Sequence, residues 1–287
     1  MLPSTTLTGT LTGGALTGGT PAPTGHPLLA SAYAQLGSAY PDLRVTLAPG
    51  GGPAAPVDPR AEIAAEEARG RAAYGEELRP DVAAGFALHR RLWPTALLFT
   101  VPWLLAEGAP LPLLTPRQVH FDAREYAITV DPAGLRVLPG AGPAAVRHAL
   151  AAHLWPLLRA FRPFVRRGPR MLWGLATDDI VEGLWYIGSR LGREAEARRA
   201  LDALFPGGTP PFTGAAGFAA SARPGACAGA DASAGADASG GAGADAGAGV
   251  DPGSGGVDAR ARTRVSCCLY YTVSGAELCA TCPRRGH

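Results

Sequence analysis

Lysine and asparagine are absent from this chain of 287 residues, and charged residues of any kind make up only 17% of it. All 26 basic residues are therefore arginines, and 24 acidic residues offset them to leave a formal net charge of +2. Proteins that bind nucleic acid without sequence preference carry a clear surplus of basic charge. The near balance excludes that class, and we expect no nucleic-acid partner.

A long apolar run is missing as well. The most apolar stretch, Leu92 to Ala106, contains Pro94 and Pro102 and is shorter than the roughly 20 residues of a transmembrane helix. The first thirty residues contain no Arg or Lys, although a secretory signal peptide begins with a positively charged region. The sequence therefore predicts a cytoplasmic protein without an integral membrane span, in a compartment where thiols stay reduced.

Glycine-rich phosphate-binding loops are also absent. Neither a G-x-G-x-x-G fingerprint nor a Walker loop occurs in the sequence, and these are the loops that hold dinucleotides and nucleoside triphosphates at helix N-termini. The chain is not expected to bind NAD(P)H or ATP by those routes, so any reducing equivalents must come from outside it.

Composition divides the chain into four parts. Residues 1–26 are a tail rich in Thr, Gly and Pro, and residues 207–261 are a linker of Ala, Gly, Asp and Pro. Both have too little apolar surface to offset the entropy of ordering. Residues 27–206 carry the apolar periodicity of a folded domain, and residues 262–287 form a short cysteine-rich segment.

The folded part is predicted to be mainly helical, of the α+β class. Six helical stretches are predicted, at residues 27–40, 62–78, 81–107, 146–161, 172–191 and 194–205. Apolar residues recur at helical spacing in the fourth and fifth, whereas residues 62–78 are charged on most faces, with Glu67 and Arg71 at an i,i+4 spacing that supports a surface helix. Between the third and fourth stretches, apolar and polar residues alternate from Val119 to Val137. This period of two predicts a small antiparallel β-meander with up to three strands.

Four of the five cysteines lie close together near the carboxy terminus. Cys267 and Cys268 are adjacent, ten residues follow, and Cys279 and Cys282 then form a C-x-x-C pair. Four thiolates meet the needs of an all-cysteine iron–sulfur cluster or of a structural zinc ion. The fifth cysteine, Cys227, lies in the linker and is predicted to be a spare thiol.

The spacing favours an iron–sulfur cluster over zinc. Zinc ribbons commonly use two C-x-x-C pairs, whereas this segment has one such pair and one adjacent pair. Neighbouring side chains diverge, so Cys267 and Cys268 do not easily grip one small ion, while two irons offer separate attachment points. We therefore expect a [2Fe–2S] cluster on the four cysteines, with structural zinc as the alternative.

The cysteine-rich segment closely resembles a known family signature. Its run Arg264-Val265-Ser266-Cys267-Cys268-Leu269-Tyr270-Tyr271, followed by Cys279-Ala280-Thr281-Cys282, is similar to the carboxy-terminal motif of ferric siderophore reductases of the FhuF type. Leu172-Trp173-Gly174 resembles a further stretch of that family, with Leu175 in place of its Asn. The resemblance covers the cysteine-rich segment strongly and residues 28–205 weakly.

The resemblance implies a one-electron reductase that works in the cytoplasm. Members of the family are reported to carry a [2Fe–2S] cluster and to reduce iron(III) in hydroxamate siderophores. Hard hydroxamate oxygens hold iron(III) better than iron(II), so one electron makes the iron labile. The implied partners are a ferric siderophore and an external electron donor, a ferredoxin or a reductase. A siderophore-binding carrier with a four-cysteine structural zinc site is the alternative function.

Substrate contacts are specified least by the sequence. Trp173, at the start of a helix, is a candidate wall of the siderophore site, with core packing as the alternative. Arg166 and Arg167 are candidates because they belong to the densest basic stretch, which suits an anionic chelate or an acidic electron donor. The other members of that stretch are Arg159, Arg162 and Arg170.

The remaining charged residues near the motifs are given simpler roles. The arginines that flank the ligands are interpreted either as cations that raise the potential of the cluster or as solvated surface side chains; they are Arg262, Arg264, Arg284 and Arg285. Asp178 and Asp179 are expected to be exposed to solvent, since neighbouring side chains on a helix diverge. His153, on an apolar helix stripe, is expected to be a core histidine.

Overall fold

The computed structural model describes residues 26–49, 57–75, 78–108, 110–114, 118–133, 135–138, 141–218, 262–273, 278 and 281–286. Six helices build this part of the chain: α1 Pro27–Ala39, α2 Pro59–Tyr74, α3 Pro80–Ala106, α4 Pro143–Phe161, α5 Pro169–Arg190 and α6 Glu194–Leu204. All but α6 begin with proline, whose fixed φ suits the first helical position and whose missing N–H costs nothing there. The predicted α+β class, mainly helical, is confirmed.

Helix α3 lies at the centre of the helical body. It packs most extensively against α5 and α2, and it runs without a break through Pro94 and Pro102. Leu88, Leu92 and Leu97 are among its fully buried side chains. A helix that is apolar on most faces is buried on most faces, so α3 provides the core surface on which the other helices pack.

Five short strands lie beside this body: β1 Arg44–Leu47, β2 Leu111–Leu113, β3 Val119–Asp122, β4 Ala127–Val130 and β5 Arg136–Leu138. The antiparallel β3–β4 hairpin is the predicted one. The third strand of the predicted meander is wrong in its pairing, because β5 pairs with β2 rather than with β4. The free edge of β4 is occupied instead by β1, which pairs with it in parallel and which alternation did not reveal.

The predicted linker starts too early at residue 207. Phe212 and Ala216 are buried against the helical body, and the Ala216 amide donates a 2.9 Å hydrogen bond to the carbonyl of Phe205. Phe218 then forms a β-bridge with Arg262. Buried apolar contacts offset the entropy of ordering this stretch. Residues 207–218 are therefore part of the folded body, and the predicted tail and the rest of the linker lie outside the described residues.

Among the helices that the structure describes, none is both long enough and apolar enough to cross a membrane.

Candidate functional site

One stripe of helix α5 faces the cysteine-rich segment. Gly174, Asp178 and Glu182 follow one another at intervals of four residues, which places them on the same helix face. A Cβ atom on Gly174 would lie 3.5 Å from the Val265 side chain, so the two segments are in van der Waals contact there. Residues 262–266, which we call the docking segment, lie along this stripe.

The carboxylate of Asp178 is the main attachment point. Its Oδ1 accepts hydrogen bonds from Arg262 Nη2 at 2.6 Å and from the Val265 amide at 2.9 Å. Its Oδ2 accepts from both the amide and the hydroxyl of Ser266, each at 2.7 Å. A carboxylate that accepts several N–H and O–H donors in a dry site forms strong, directional bonds, so Asp178 fixes the backbone directly before Cys267.

Glu182 extends the attachment one helical turn further. Its Oε1 accepts from Arg262 Nη1 at 2.9 Å and from Thr281 Oγ1 at 3.0 Å, while Oε2 accepts from Arg264 Nη1 at 2.8 Å. Thr281 stands directly before Cys282. We call the stretch that leads to Cys267 and the stretch that contains Cys282 the two arms of the cysteine motif. Glu182 therefore contacts both arms from one helix position.

Arg264 joins the two arms and the helix. Its backbone amide donates a 3.0 Å hydrogen bond to the carbonyl of Thr281. Burial alone would lower the pKa of its guanidinium, but Glu182, Asp178 and Asp179 outweigh burial and raise that pKa, with a smaller contribution from Cys268. The guanidinium therefore stays charged in a buried position, where it faces carboxylates and lies within electrostatic reach of a cysteine.

A histidine completes the charged network on the side of α3. His89 Nδ1 lies 2.6 Å from Asp179 Oδ1. Burial alone would lower the pKa of His89, but the adjacent Asp179 carboxylate raises it above its ordinary value. The other oxygen of Asp179, Oδ2, is buried without a hydrogen-bond partner among the described residues. The pair thus binds a proton more tightly than a free imidazole does.

Two sequence-based interpretations are corrected by this network. Asp178 and Asp179 are 0% exposed rather than solvated, because the docking segment and α3 cover the face of α5 that carries them. Arg262 and Arg264 are also buried, so the solvated alternative is wrong for both. Their charges are offset by three carboxylates, those of Asp178, Asp179 and Glu182.

The first two cysteines of the motif come directly after the docking segment in the chain. Cys267, Cys268 and Cys282 are free thiols, and Cys282 is only 5% exposed. The Leu269 amide donates to Cys267 Sγ at 3.5 Å, a contact of the kind that stabilises thiolate charge at metal centres. Cys279 and Cys227 lie outside the described residues. Within the described part of the chain, no three His, Cys, Asp or Glu side chains form a complete metal site.

The three described thiols nevertheless suit an iron–sulfur cluster. Iron–sulfur clusters are held by cysteine thiolates, commonly four, in sites tuned by hydrogen bonds to sulfur and by burial. The hydrogen bond to Cys267, the burial of Cys282 and the joining of the two arms at Thr281 provide those features. Cys279, which stands beside Ala280 in the same arm, would supply the fourth thiolate.

Aromatic residues surround the loop after Cys268. The ring of Tyr270 contacts Tyr74 and Phe86, each with ring centroids 6.4 Å apart, and Arg284 lies 4.4 Å from the ring centroid of Tyr271. The loop is therefore packed on α2 and α3 as well as on α5. Such packing lowers the access of water to the cysteines.

The predicted substrate residues are placed differently from one another. Trp173 is 4% exposed and packs between Trp155 and Phe212, which agrees with the core-packing alternative. Arg167 donates from Nη1 to the carbonyl of Cys267 at 2.6 Å, so it supports the cysteine loop directly. Arg166 is exposed and lies within electrostatic reach of Asp81.

The residues that hold the cysteine segment were not identified by sequence reasoning. Asp178, Glu182 and His89 lie about 80 to 180 positions before the segment that they fix, directly or through Asp179, so local periodicity carried no information about their contact. One signal was present: Asp178 and Glu182 lie at an interval of four among the mostly apolar residues in the middle of α5. Buried carboxylates require partners, and the alternating arginines directly before the cysteines, which include Arg262 and Arg264, could have supplied them.

The cysteine-rich segment matches a known protein family. Residues 264–284 fit the family model described as the FhuF 2Fe-2S C-terminal domain. A search of curated proteins gave no match. The matched residues include all four predicted ligands and three residues of the docking segment, Arg264, Val265 and Ser266. The family match therefore confirms, for the carboxy-terminal segment, the predicted resemblance to FhuF-type proteins and the [2Fe–2S] cluster as its cofactor.

Proposed function

We propose that this chain is a ferric-siderophore reductase, which passes one electron to iron(III) in a siderophore of the hydroxamate class and so releases iron(II). The observation that carries the proposal is the attachment of a FhuF-type cysteine segment to α5 by Asp178 and Glu182. Electron transfer requires a cofactor held at a fixed place beside the substrate site. The contacts of Asp178 and Glu182 would hold the cluster ligands at such a place.

The proposed ligands are Cys267, Cys268, Cys279 and Cys282. A [2Fe–2S] cluster supplies reversible one-electron chemistry when it is bound. The chain's own residues hold the ligands: Asp178 fixes the backbone before Cys267, Thr281 ties the second arm to Glu182, and Arg167 holds the Cys267 carbonyl.

Charge compensation is the second contribution of the chain. Arg262 and Arg264 bring two positive charges beside the ligands, and Asp178, Asp179 and Glu182 bring three negative ones. A charge near a cluster shifts its potential in proportion to the uncompensated field. We infer that this balance, rather than two bare cations, sets the potential at which the electron is released.

Substrate binding is proposed for the surface beside the cysteine loop. Arg166 is exposed and free to meet an anionic chelate, while Arg167 and Trp173 support that surface from within. We further propose a cytoplasmic location, where thiols remain reduced, and an external electron donor.

The direct test starts from protein purified without oxygen. The chain is analysed for iron and sulfide, reduced with dithionite, and mixed with the ferric complex of a hydroxamate siderophore while a colorimetric chelator traps iron(II). The gallium(III) complex of the same siderophore is the matched control, because it has nearly the same shape and cannot accept an electron. We expect the ferric complex to oxidise the protein and the gallium complex to leave it reduced.

Two other results would favour different functions. Stoichiometric zinc in a colourless protein that still binds the chelate would support the carrier alternative. Oxidation of the reduced protein at the same rate in the presence of the ferric and the gallium complex would mean that the iron(III) of the chelate is not the electron acceptor.

A further inference from the structure

Two large apolar side chains are exposed near the turn between α4 and α5. Trp155 on α4 is 54% exposed and Met171 in the first turn of α5 is 41% exposed, which places them among the few large apolar side chains described as exposed. Single exposed apolar residues are common on protein surfaces and need no explanation. Two at one helix junction are typical of the centre of an interaction surface.

Along the chain, the charged residues around these two are all basic. The sequence contains no acidic residue between Asp131 and Asp178. Arg159, Arg162 and Arg170 are exposed, and none of them has an ion-pair partner within the described residues. A chain whose net charge is only +2 therefore places three arginines without an ion pair among the described residues at this junction.

Helix geometry brings the aromatic and basic side chains together. Trp155 and Arg159 are four residues apart on α4, and Arg162, three residues further, caps its end with helical φ and ψ, so the three lie on one face. Trp155 stacks on Trp173 of α5, with ring centroids 6.3 Å apart and planes inclined by 19°. This contact joins the α4 face to the first turn of α5, where Arg170 and Met171 lie.

The same junction touches the cysteine loop. Arg167, in the turn between the two helices, donates to the Cys267 carbonyl at 2.6 Å. Met171 lies one helical turn before Gly174, and Gly174 packs against Val265 and Ser266. A partner seated on this surface would lie directly beside the proposed cluster ligands.

We propose that this donor surface, formed by Trp155, Arg159, Arg162, Arg170 and Met171, docks an acidic electron-transfer protein that reduces this chain. The inference rests on the proposed function, and it names the class of partner that the function requires. In the step, one electron leaves the reduced centre of the donor and one electron is gained at the cysteine segment. No bond forms or breaks, and no proton is transferred.

A protein fits this surface better than a small chelate does. An exposed aromatic residue with arginines around it is the usual composition of a protein–protein contact. Sites for small molecules instead enclose most of the ligand, and an exposed helix face cannot do so. Uncompensated positive charge also steers a negatively charged partner and raises its rate of association.

The test uses the full chain with its cluster and, as probe, a reduced acidic [2Fe–2S] ferredoxin. The variant Arg159→Glu/Arg162→Glu is compared with Arg124→Glu/Arg199→Glu, which changes net charge equally at exposed positions on the β3–β4 turn and on α6. At low ionic strength we expect the first variant to lower the second-order rate of reduction by about tenfold or more, and the control by less than about twofold. The difference should shrink as salt is added.

A binding measurement separates docking from electron transfer. Calorimetric titration of the oxidised chain with oxidised ferredoxin should show the same loss of affinity in Arg159→Glu/Arg162→Glu. Trp155→Ala should also weaken binding, without a change in its salt dependence, because the residue contributes apolar contact. Thermal unfolding establishes that each variant is folded.

The outcomes distinguish this inference from the proposed function. An equal loss of rate and affinity in both charge-reversal variants would overturn the inference, since bulk charge alone would explain it. A slower oxidation by ferric chelate, with unchanged ferredoxin binding, would assign the surface to the chelate and overturn it too. If dithionite-reduced protein fails to reduce any ferric chelate, the proposed function fails, while the titration still decides whether the donor surface binds.

Discussion

At the scale of single residues, Asp178 is the position on which the site depends most. Its carboxylate accepts four hydrogen bonds from the docking segment and is fully buried. Removing one partner of a buried ion pair leaves an uncompensated charge, which costs far more than the pair contributes. Asp178 therefore determines both the stability of the attachment and the position of Cys267.

Replacing Asp178 by Asn tests this role. The amide keeps the shape but loses the charge opposite Arg262, and we expect the free energy of unfolding to fall by about 3 kcal/mol. Denaturant unfolding followed by tryptophan fluorescence measures it. Glu125→Gln is the matched control, because it breaks an exposed 2.7 Å pair with Arg44 and should cost less than about 1 kcal/mol. Equal losses in the two variants would contradict the role of Asp178.

His89 gives a pH dependence of defined sign. Its pKa in the folded state lies above the usual 6.5, because the Asp179 carboxylate outweighs the effect of burial. The stabilisation from protonated His89 is fully present below that usual value and is lost as pH rises through the folded-state pKa. His89→Gln should therefore destabilise the protein more at about pH 6 than at about pH 9. A loss that grows with pH would mean that the histidine is neutral in the folded protein.

The cysteine assignments can be tested by single substitutions. Cys279→Ser and Cys282→Ser should each abolish the visible charge-transfer absorption, because a serine oxygen is a poor substitute for a thiolate in cluster binding. Cys227→Ser is the matched control and should leave the absorption unchanged. Loss of the absorption in the control alone would show that the wrong cysteines were chosen.

At the scale of secondary-structure elements, the site depends on a close approach between the 207–218 stretch and the docking segment. Gly214 has a φ of +88°, and a Cβ atom on it would lie only 2.4 Å from a methyl group of Val265, an overlap that must displace one of the two segments. Gly217 has a φ of +77°, and a Cβ atom there would lie 2.9 Å from the Thr263 carbonyl oxygen. Both positions require glycine for conformation and for space.

Gly214→Ala should therefore loosen the docking segment. The left-handed conformation costs about 1–2 kcal/mol for a residue with a Cβ atom, and displacement of Val265 adds to that loss. Gly37→Ala is a control of opposite sign, since Gly37 lies inside α1 with open space around it and should gain about 0.5–1 kcal/mol. Thermal unfolding measures both changes. A stability gain in Gly214→Ala would mean that the two segments are not in contact.

The elements themselves were predictable to different extents. All six helices were predicted. Helices α4 and α5 follow from apolar residues spaced along a buried face, and α2 follows from its charged faces and the i,i+4 pair of Glu67 and Arg71. The β3–β4 hairpin follows from alternation. Strand β1 could not be predicted as the partner of β4, because parallel pairing joins segments about 80 residues apart and leaves no local pattern.

At the scale of the whole molecule, the site is made by contacts between distant parts of the chain. The cysteine motif and its spacing were readable from the sequence, and so was the nature of the cofactor. The surroundings were not: Arg262 meets Asp178 across 84 residues, and His89 meets Asp179 across 90. Reading each charged residue by itself predicted solvent exposure for Asp178 and Asp179 and left it as one of two alternatives for Arg262 and Arg264, whereas in the fold the opposite charges compensate one another within a buried site.

The division into domains changes at this scale as well. The sequence divided the helical body from the cysteine segment by a linker and left open whether that segment is loosely tethered or docked on the body. In the structure, residues 207–218 pack on the helical body and the docking segment is bound along α5. The docking contacts belong entirely to the protein chain, so we expect the segment to remain attached in the absence of a bound cluster.

The central claim is that four carboxy-terminal cysteines hold a two-iron cluster which transfers single electrons. Electron paramagnetic resonance of the anaerobically purified protein before and after dithionite reduction, combined with iron and sulfide analysis, tests it most directly. We predict two irons and two sulfides per chain, no signal in the oxidised protein and a one-electron signal in the reduced protein. A colourless protein that contains stoichiometric zinc and stays silent after reduction would contradict the claim.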